Sequence, residues 1–346
     1  MDIQDKNIVP LDCAFIMVNE KPCAIWEYYG FKESTLNFLN GIEPNYFSYL
    51  AKVHGEKLHV KKHRQNAAIA LRTGYSFGLE TFFSLLFSYI QAPHCVQAWM
   101  NLYEPGDIGK LVKKVTSNLN FNMAWTLNPV SWRQIAKFIL NSLVIPDPIK
   151  DEAYKNAFGD LWSKLAYEFN DESFQREYNS LKHGMRLKAG GFYLAFKTSP
   201  KNGSQDGNPI SHMLSQSEFG SSFLKKNKVG ENNRHLYFSK TSRNWDPEDI
   251  ASRLEFLALS LSNLISTIKI FWGVDPKKVR YSWPREIEHF NIPWKNSLNF
   301  RAGTMTMHGQ KVDKSVIEDY TPELIIENYK KGIFTSRKFI KFVDPV

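Results

Sequence analysis

The sequence predicts a mainly α protein of the α+β class: a multi-helix bundle with one β-ribbon inserted at about residues 186–245. Three observations carry this. Apolar residues recur every three to four positions over most of the chain. Proline and glycine gather between those stretches rather than inside them. After Gly184 the pattern switches to short aromatic and aliphatic runs flanked by glycine and polar segments.

The elements follow in order. Cys13–Val18 and Cys23–Tyr29 are short apolar runs split by Asn19-Glu20-Lys21-Pro22, which fits either a hairpin or two short helices. Pro44 opens a helix through Phe47, Leu50 and Val53. No proline interrupts 64–90, where Leu71, Tyr75, Leu79, Phe82, Phe83, Leu86 and Ile90 mark a long helix that Pro93 ends. Shorter helices are expected over 94–103, over 108–117 and from Trp132 through Leu140. Leu161, Leu165 and Phe169 repeat at intervals of four within a helical stretch from 150 to 182, with Asn170-Asp171 as a kink or a split. Gly184 stands where a C-cap glycine belongs. Residues 192–196 and 235–238 read as strands, and the Ser-, Asn-, Gly- and Lys-rich 199–233 reads as a long loop. Asp246-Pro247-Glu248-Asp249 starts a helix with an acidic cap and a proline in the first turn. Its apolar face runs from Leu254 to Ile268, and Gly273 and Pro276 stop it. The expected organisation is an N-terminal mixed segment (1–55), a helical domain with the β insertion (56–275), and a basic, aromatic C-terminal segment (276–346) packed on it, with one short helix from Pro322 to Lys330.

Composition narrows the class of function. A 43% hydrophobic and 23% charged chain of 346 residues is neither disordered nor fibrous. No run of about 18 uninterrupted apolar residues is present, so no membrane partner is expected. The acidic start, MDIQDKNIVPLD, lacks the pattern of a secretory signal. Cys13, Cys23 and Cys95 are too few and scattered for a disulfide scaffold or a cysteine-based zinc site, which fits a reducing cytoplasm. The 44 Lys and Arg against 35 Asp and Glu give a net charge of +9, compatible with nucleic acid as a partner and equally with an ordinary basic surface.

The segment richest in chemistry is Arg176-Glu177-Tyr178-Asn179-Ser180-Leu181-Lys182-His183-Gly184. Arg176 and His183 are seven apart on an expected helix, about two turns, so they share a face with Asn179 between them. Such a set suits phosphodiester chemistry without a metal. The imidazole can take a proton from a ribose 2′-hydroxyl or give one to a leaving oxygen. The guanidinium can hold the phosphate and the charge that builds on it. On the same residues an ordinary helix end is the competing reading, with Arg176 paired to Asp171 or Glu172 and His183 capping the terminus.

REYNSLKHG resembles the Arg-x4–6-His signature of the HEPN superfamily, over about residues 60–185 and 247–273. The resemblance implies a bundle of four or so helices, a metal-independent ribonuclease of a defence or toxin system, and no cofactor. It also implies RNA as substrate, a homodimer whose protomers build one composite site, and an antitoxin or defence partner. Carried over by position, Arg176 and His183 are the catalytic pair and Asn179 orients substrate or histidine. Glu177 departs from the usual polar residue after the arginine. Glu80, on an otherwise apolar helix, needs a partner, for which Arg176 is a candidate; Tyr178 and Lys182 support the site. Lys61, Lys62, Arg64, Arg186 and Lys188 are the expected contacts to the nucleic-acid backbone, and the run from Lys57 to Arg64 reads equally as a solvated helix start. A non-catalytic helical module that binds nucleic acid or protein is the alternative function.

Other candidates are weaker. Arg301 to His308 also matches the spacing but reads as strand or loop. His59 and His63 could share a helix face as metal ligands, yet Lys61 and Lys62 lie between them and no third ligand is near, so no metal is expected. His94 and Cys95 are adjacent, and neighbours on a helix point apart, so Cys95 reads as a buried structural thiol. The tail cations Lys330, Lys331, Arg337, Lys338 and Lys341 fit either a solvated surface or a phosphate contact.

Overall fold

The structure is a computed structural model and describes residues 12–104, 106–127, 129–198, 210–229, 235–296, 303–307 and 321–331. It is mainly α, as the sequence predicts. The N-terminal runs form a hairpin, β1 (Cys13–Val18) and β2 (Lys21–Trp26), paired antiparallel with Val18 opposite Lys21. Seven helices follow: α1 (Tyr28–Gly41), α2 (Asn45–Leu58), α3 (Arg64–Gln91), α4 (Val96–Leu102), α5 (Asp107–Thr116), α6 (Trp132–Ile139) and α7 (Pro148–Phe169). The expected stretch 150–182 is split at Asn170-Asp171, giving α8 (Glu172–Lys182).

The β region holds β3 (Leu187–Ala189), β4 (Tyr193–Thr198), β5 (Ile210–Gln216), β6 (Gly220–Val229) and β7 (His235–Asn244). After it come α9 (Pro247–Phe271), two 3-10 segments, β8 (Gly303–Met307) and α10 (Pro322–Lys330). The expected loop 199–233 is therefore wrong over 210–216 and 220–229. Alternating residues such as Ser215, Ser221 and Phe223 are buried there, and polar serines that hydrogen-bond inward hide the period-2 signal. The match at Arg301 and His308 lies outside the described residues, as does the basic tail beyond Lys331.

Two compact units are distinguished, Met1–Ser222 with Ser242–Thr304, and Phe223–Thr241 with Met305–Val346. The first is built around α3, which is buried along nearly its whole length. Gly74 and Gly78 let α2 and α9 approach α3: a Cβ at Gly74 would meet Leu50 at 2.8 Å, and one at Gly78 would meet Phe47 at 3.1 Å and Leu257 at 3.2 Å. Phe82 and Phe83 pack on Trp162 and Phe169 of α7 with ring centroids 5.2 and 5.1 Å apart. α9 is long and apolar enough to cross a membrane by length and composition, and two thirds of its most apolar window is buried in the fold. In the second unit, Asn227 Nδ2 donates to Ser239 Oγ across β6 and β7 at 3.0 Å, and Thr241 meets Thr306 at 3.3 Å.

Where α8 ends, Gly184 (φ 99°) and Met185 (φ 51°) turn left-handed, as the glycine predicts. The amides of Met185 and Arg186 return to the carbonyls of Leu181 and Ser180. The chain then runs through β3 to a tight backbone crossing at Gly191. A Cβ there would stand 2.2 Å from the Ser217 carbonyl and 2.8 Å from that of Phe219. Gly191→Ala should therefore cost about 3 kcal/mol or more, since backbone cannot yield as a side chain can. Gly55→Ala, in α2 with open space around it, should stabilise by up to about 1 kcal/mol. Urea unfolding of the two variants checks the pair of signs.

Candidate functional site

Helix α8 carries the motif, and its two faces have separate duties. Asp171 caps it, accepting from the Phe174 amide at 2.6 Å and from Arg243 at 2.5 Å. Phe174, Glu177 and Leu181 are buried. Glu177 is 1% exposed and its partner Arg72, from α3, is 3% exposed. Arg72 donates through Nε at 3.1 Å and Nη2 at 2.6 Å to one carboxylate oxygen. The other oxygen accepts from Ser221 Oγ and, at 2.9 Å, from the indole of Trp245. Arg243 stands 3.8 Å away, and the Arg72 guanidinium lies over the Phe174 ring at 4.4 Å.

Burial pushes the Glu177 carboxyl upward, but the charges of Arg72 and Arg243 and the Ser221 bond outweigh it and hold the group below its ordinary value of 4.5. Glu177 is the residue that departs from the expected motif, and the structure gives it a structural post.

The opposite face of α8 presents Glu172, Arg176, Asn179 and His183, successive positions of one outward stripe. Asn179 and His183 are exposed. His183 is the C-cap, its amide donating to the Asn179 carbonyl. Its imidazole makes no hydrogen bond or ion pair among the described residues. Arg176 donates through Nε and Nη2 to Glu172 Oε1 at 3.0 and 2.8 Å. The expected pairing of Arg176 with Glu80 gives way to this i, i+4 pair, because the arginine stem leans toward the helix N-terminus, where Glu172 stands.

Glu80 instead serves a cleft on the flank of α8. Tyr178 donates to its Oε2 at 3.0 Å and Tyr103 to its Oε1 at 3.3 Å, with the Lys182 ammonium at 4.0 Å. Burial, and then the Glu80 charge, push both phenols up, Tyr103 to about 12, so they remain donors. The cleft has a volume of about 230 Å³ and is lined by Glu80, Lys110, Lys113, Tyr178, Asn179 and Lys182 among others, with Phe169 and Phe174 at its apolar wall. The structure thus brings Glu80, Tyr178, Asn179 and Lys182 together, while Arg176 and His183 stand on the stripe beside them. Lys110 and Lys113 went unsuspected. They lie on α5, some 65 residues away in sequence, on a helix whose apolar face (Ile108, Leu111, Val112, Val115) turns its lysines out.

Of the expected nucleic-acid contacts, Lys61, Lys62, Arg186 and Lys188 are exposed. Arg64 is paired with Glu218 at 2.9 Å, and the Glu218 carbonyl accepts from the Gly191 amide at 3.0 Å, which joins the start of α3 to the end of the β3 segment. His59 and His63 do not share a helix: one caps the end of α2 and the other the start of α3. Among the described residues no group of three His, Cys, Asp or Glu is placed to hold a metal. Cys95 is buried, and burial pushes its thiol up. Comparison with protein-family models, with curated proteins and with solved structures finds no match for this chain.

Glu177 sets a pH dependence. Its folded-state pKa lies below its unfolded value, so its contribution to stability is complete above about pH 4.5 and is lost as pH falls through the lower, folded value. Urea midpoints between pH 3 and 6 should fall on acidification in the wild type. In Glu177→Gln, less stable at neutral pH, that fall should be shallower. Equal slopes would assign the charge elsewhere.

Proposed function

We propose that the protein is a metal-independent RNA endonuclease of HEPN type whose active edge is the outward stripe of α8. The observation that carries the reading is His183: an exposed imidazole on the same stripe as an arginine and an asparagine, with no hydrogen bond or ion pair among the described residues. In the proposed step His183 takes the proton of a ribose 2′-hydroxyl as that oxygen attacks the adjacent phosphorus. The bond from phosphorus to the 5′-oxygen breaks, a protonated group gives its proton to that oxygen as it leaves, and the products are a 2′,3′-cyclic phosphate and a 5′-hydroxyl. A homodimer would let the second protomer's copy of the stripe supply that donor. Arg176 holds the phosphate and the charge on its oxygens.

Arg176 now reaches away from His183, toward Glu172. Its Cα lies about 10 Å from that of His183 along the helix axis. A bound phosphate must therefore draw the guanidinium off Glu172, its i, i+4 partner at the surface. Arg186 and Lys188, just beyond the helix end, and Lys61, Lys62 and Arg64 would follow the strand's backbone, making RNA binding salt-dependent. The pairing of Arg176 with Glu172 equally suits the second reading, a helical module that binds RNA or a protein partner without cutting.

Cleavage of single-stranded RNA in excess chelator separates the two. The nuclease reading expects 2′,3′-cyclic ends and a loss of about 100-fold or more in His183→Ala and Arg176→Ala. Folding of each variant is checked by circular dichroism. RNA binding with no cleavage, or cleavage indifferent to both residues, would leave the binding module as the function.

A further inference from the structure

The cleft beside the stripe has a charge balance that the fold does not use. Lys110, Lys113 and Lys182 line it, from two helices. Against these three lysines the described residues of the lining hold one carboxylate, Glu80, whose oxygens already accept from two phenols. Lys110 stands 3.7 Å from Asp107, but that carboxylate is buried and also receives the Glu104 amide, Asn19 and Lys21. Lys113 is exposed and makes no ion pair among the described residues. Two carboxamides, Gln175 and Asn179, also line it; Gln175 Nε2 already donates to the Phe169 carbonyl at 3.0 Å, which leaves Asn179 as the neutral donor. Surplus positive charge, an amide donor and an apolar wall in a small concave site are the recognition elements of a phosphate joined to a less polar group. Asn179 belongs to both the cleft and the outward stripe, so a ligand seated there adjoins the residues assigned to chemistry.

We propose that this cleft is a phosphate subsite that holds the nucleotide next to the one being cut. The phosphate lies among Lys110, Lys113 and Lys182, and the sugar or base edge rests on the Phe169 wall. The proposal rests on the ribonuclease reading for its role, and on the cleft itself for its chemistry. A volume of about 230 Å³ falls below the usual range of about 300–1,000 Å³ for sites that enclose a whole ligand. One phosphate with its sugar is therefore the unit held, and the rest of the strand lies outside.

Calorimetric titration of the full chain with 5′-AMP, with inorganic phosphate and with adenosine tests it. The expected result is saturable binding of 5′-AMP, weaker binding of phosphate and none of adenosine. Lys113→Glu should weaken 5′-AMP at least tenfold, while Lys150→Glu, an exposed lysine at the start of α7, should leave it unchanged. In the cleavage assay Lys113→Glu should raise KM for RNA about tenfold with kcat kept. Equal 5′-AMP affinity in the two lysine variants, or no saturable binding at all, would overturn the subsite. Failure of the nuclease reading looks different: 5′-AMP binding that depends on Lys113, in a protein that cuts no RNA. Cleavage with KM unmoved in Lys113→Glu would remove the subsite and leave the nuclease.

Discussion

The arrangement turns on one buried ion pair, Arg72 with Glu177. Neither charge has water around it, so each must be neutralised inside the fold. Glu177 is met by two nitrogens of Arg72, the Ser221 hydroxyl and the Trp245 indole. Those donors come from α3, from Ser221 near the start of β6 and from Trp245, just after β7. One carboxylate thus ties the central helix, the start of β6 and the link that leads into α9 to α8. Such a pair adds little net stability over an apolar packing of the same shape, but losing either member leaves a charge stranded. What it contributes is definition: α8 cannot roll or slide without breaking four bonds at once.

That definition fixes the chemistry of the other faces. Successive residues of a helix step about 100° around its axis. With Glu177 locked inward, Arg176, Asn179 and His183 must face solvent, and Tyr178 and Lys182 must flank them toward α3 and α5. The same lock that consumes one charged residue of the motif presents the others. Glu80 plays the lesser counterpart on α3. Two phenols hold it at the cleft and spare it the cost of an unpartnered charge.

Much of this was legible in the sequence. The helix start at Asp246-Pro247 is read from its cap, and the side chain does accept the amides of Glu248 and Asp249; Asp147 and Asp171 cap α7 and α8 in the same way, starts that the helical stretch expected over 150–182 does not place. Arg72 and Glu80 are the charged residues within an otherwise uncharged run from 65 to 91, which signals buried or half-buried partners without naming them. For Glu80 the name is out of reach because its partnership is tertiary: Tyr103 and Tyr178 meet it, while Arg176 pairs with Glu172 one turn back, the local alternative the sequence offers. Lys110 and Lys113 join the cleft through helix packing that no local pattern encodes. The strands at 210–216 and 220–229 were hidden by serine, whose inward hydroxyls satisfy buried partners where aliphatic residues would have advertised a sheet.

The central claim is that Arg72 and Glu177 act as a unit, and a double-mutant cycle on urea unfolding at pH 7 tests it directly. The variants are Arg72→Met, Glu177→Leu and the two together. Each single change should cost about 3–5 kcal/mol, because it strands the remaining charge. The double variant should be far less destabilised than the sum, with a coupling of about 2 kcal/mol or more. Additive losses would contradict the account, for they would mean that the two residues stabilise the fold separately and that α8 is held by something else.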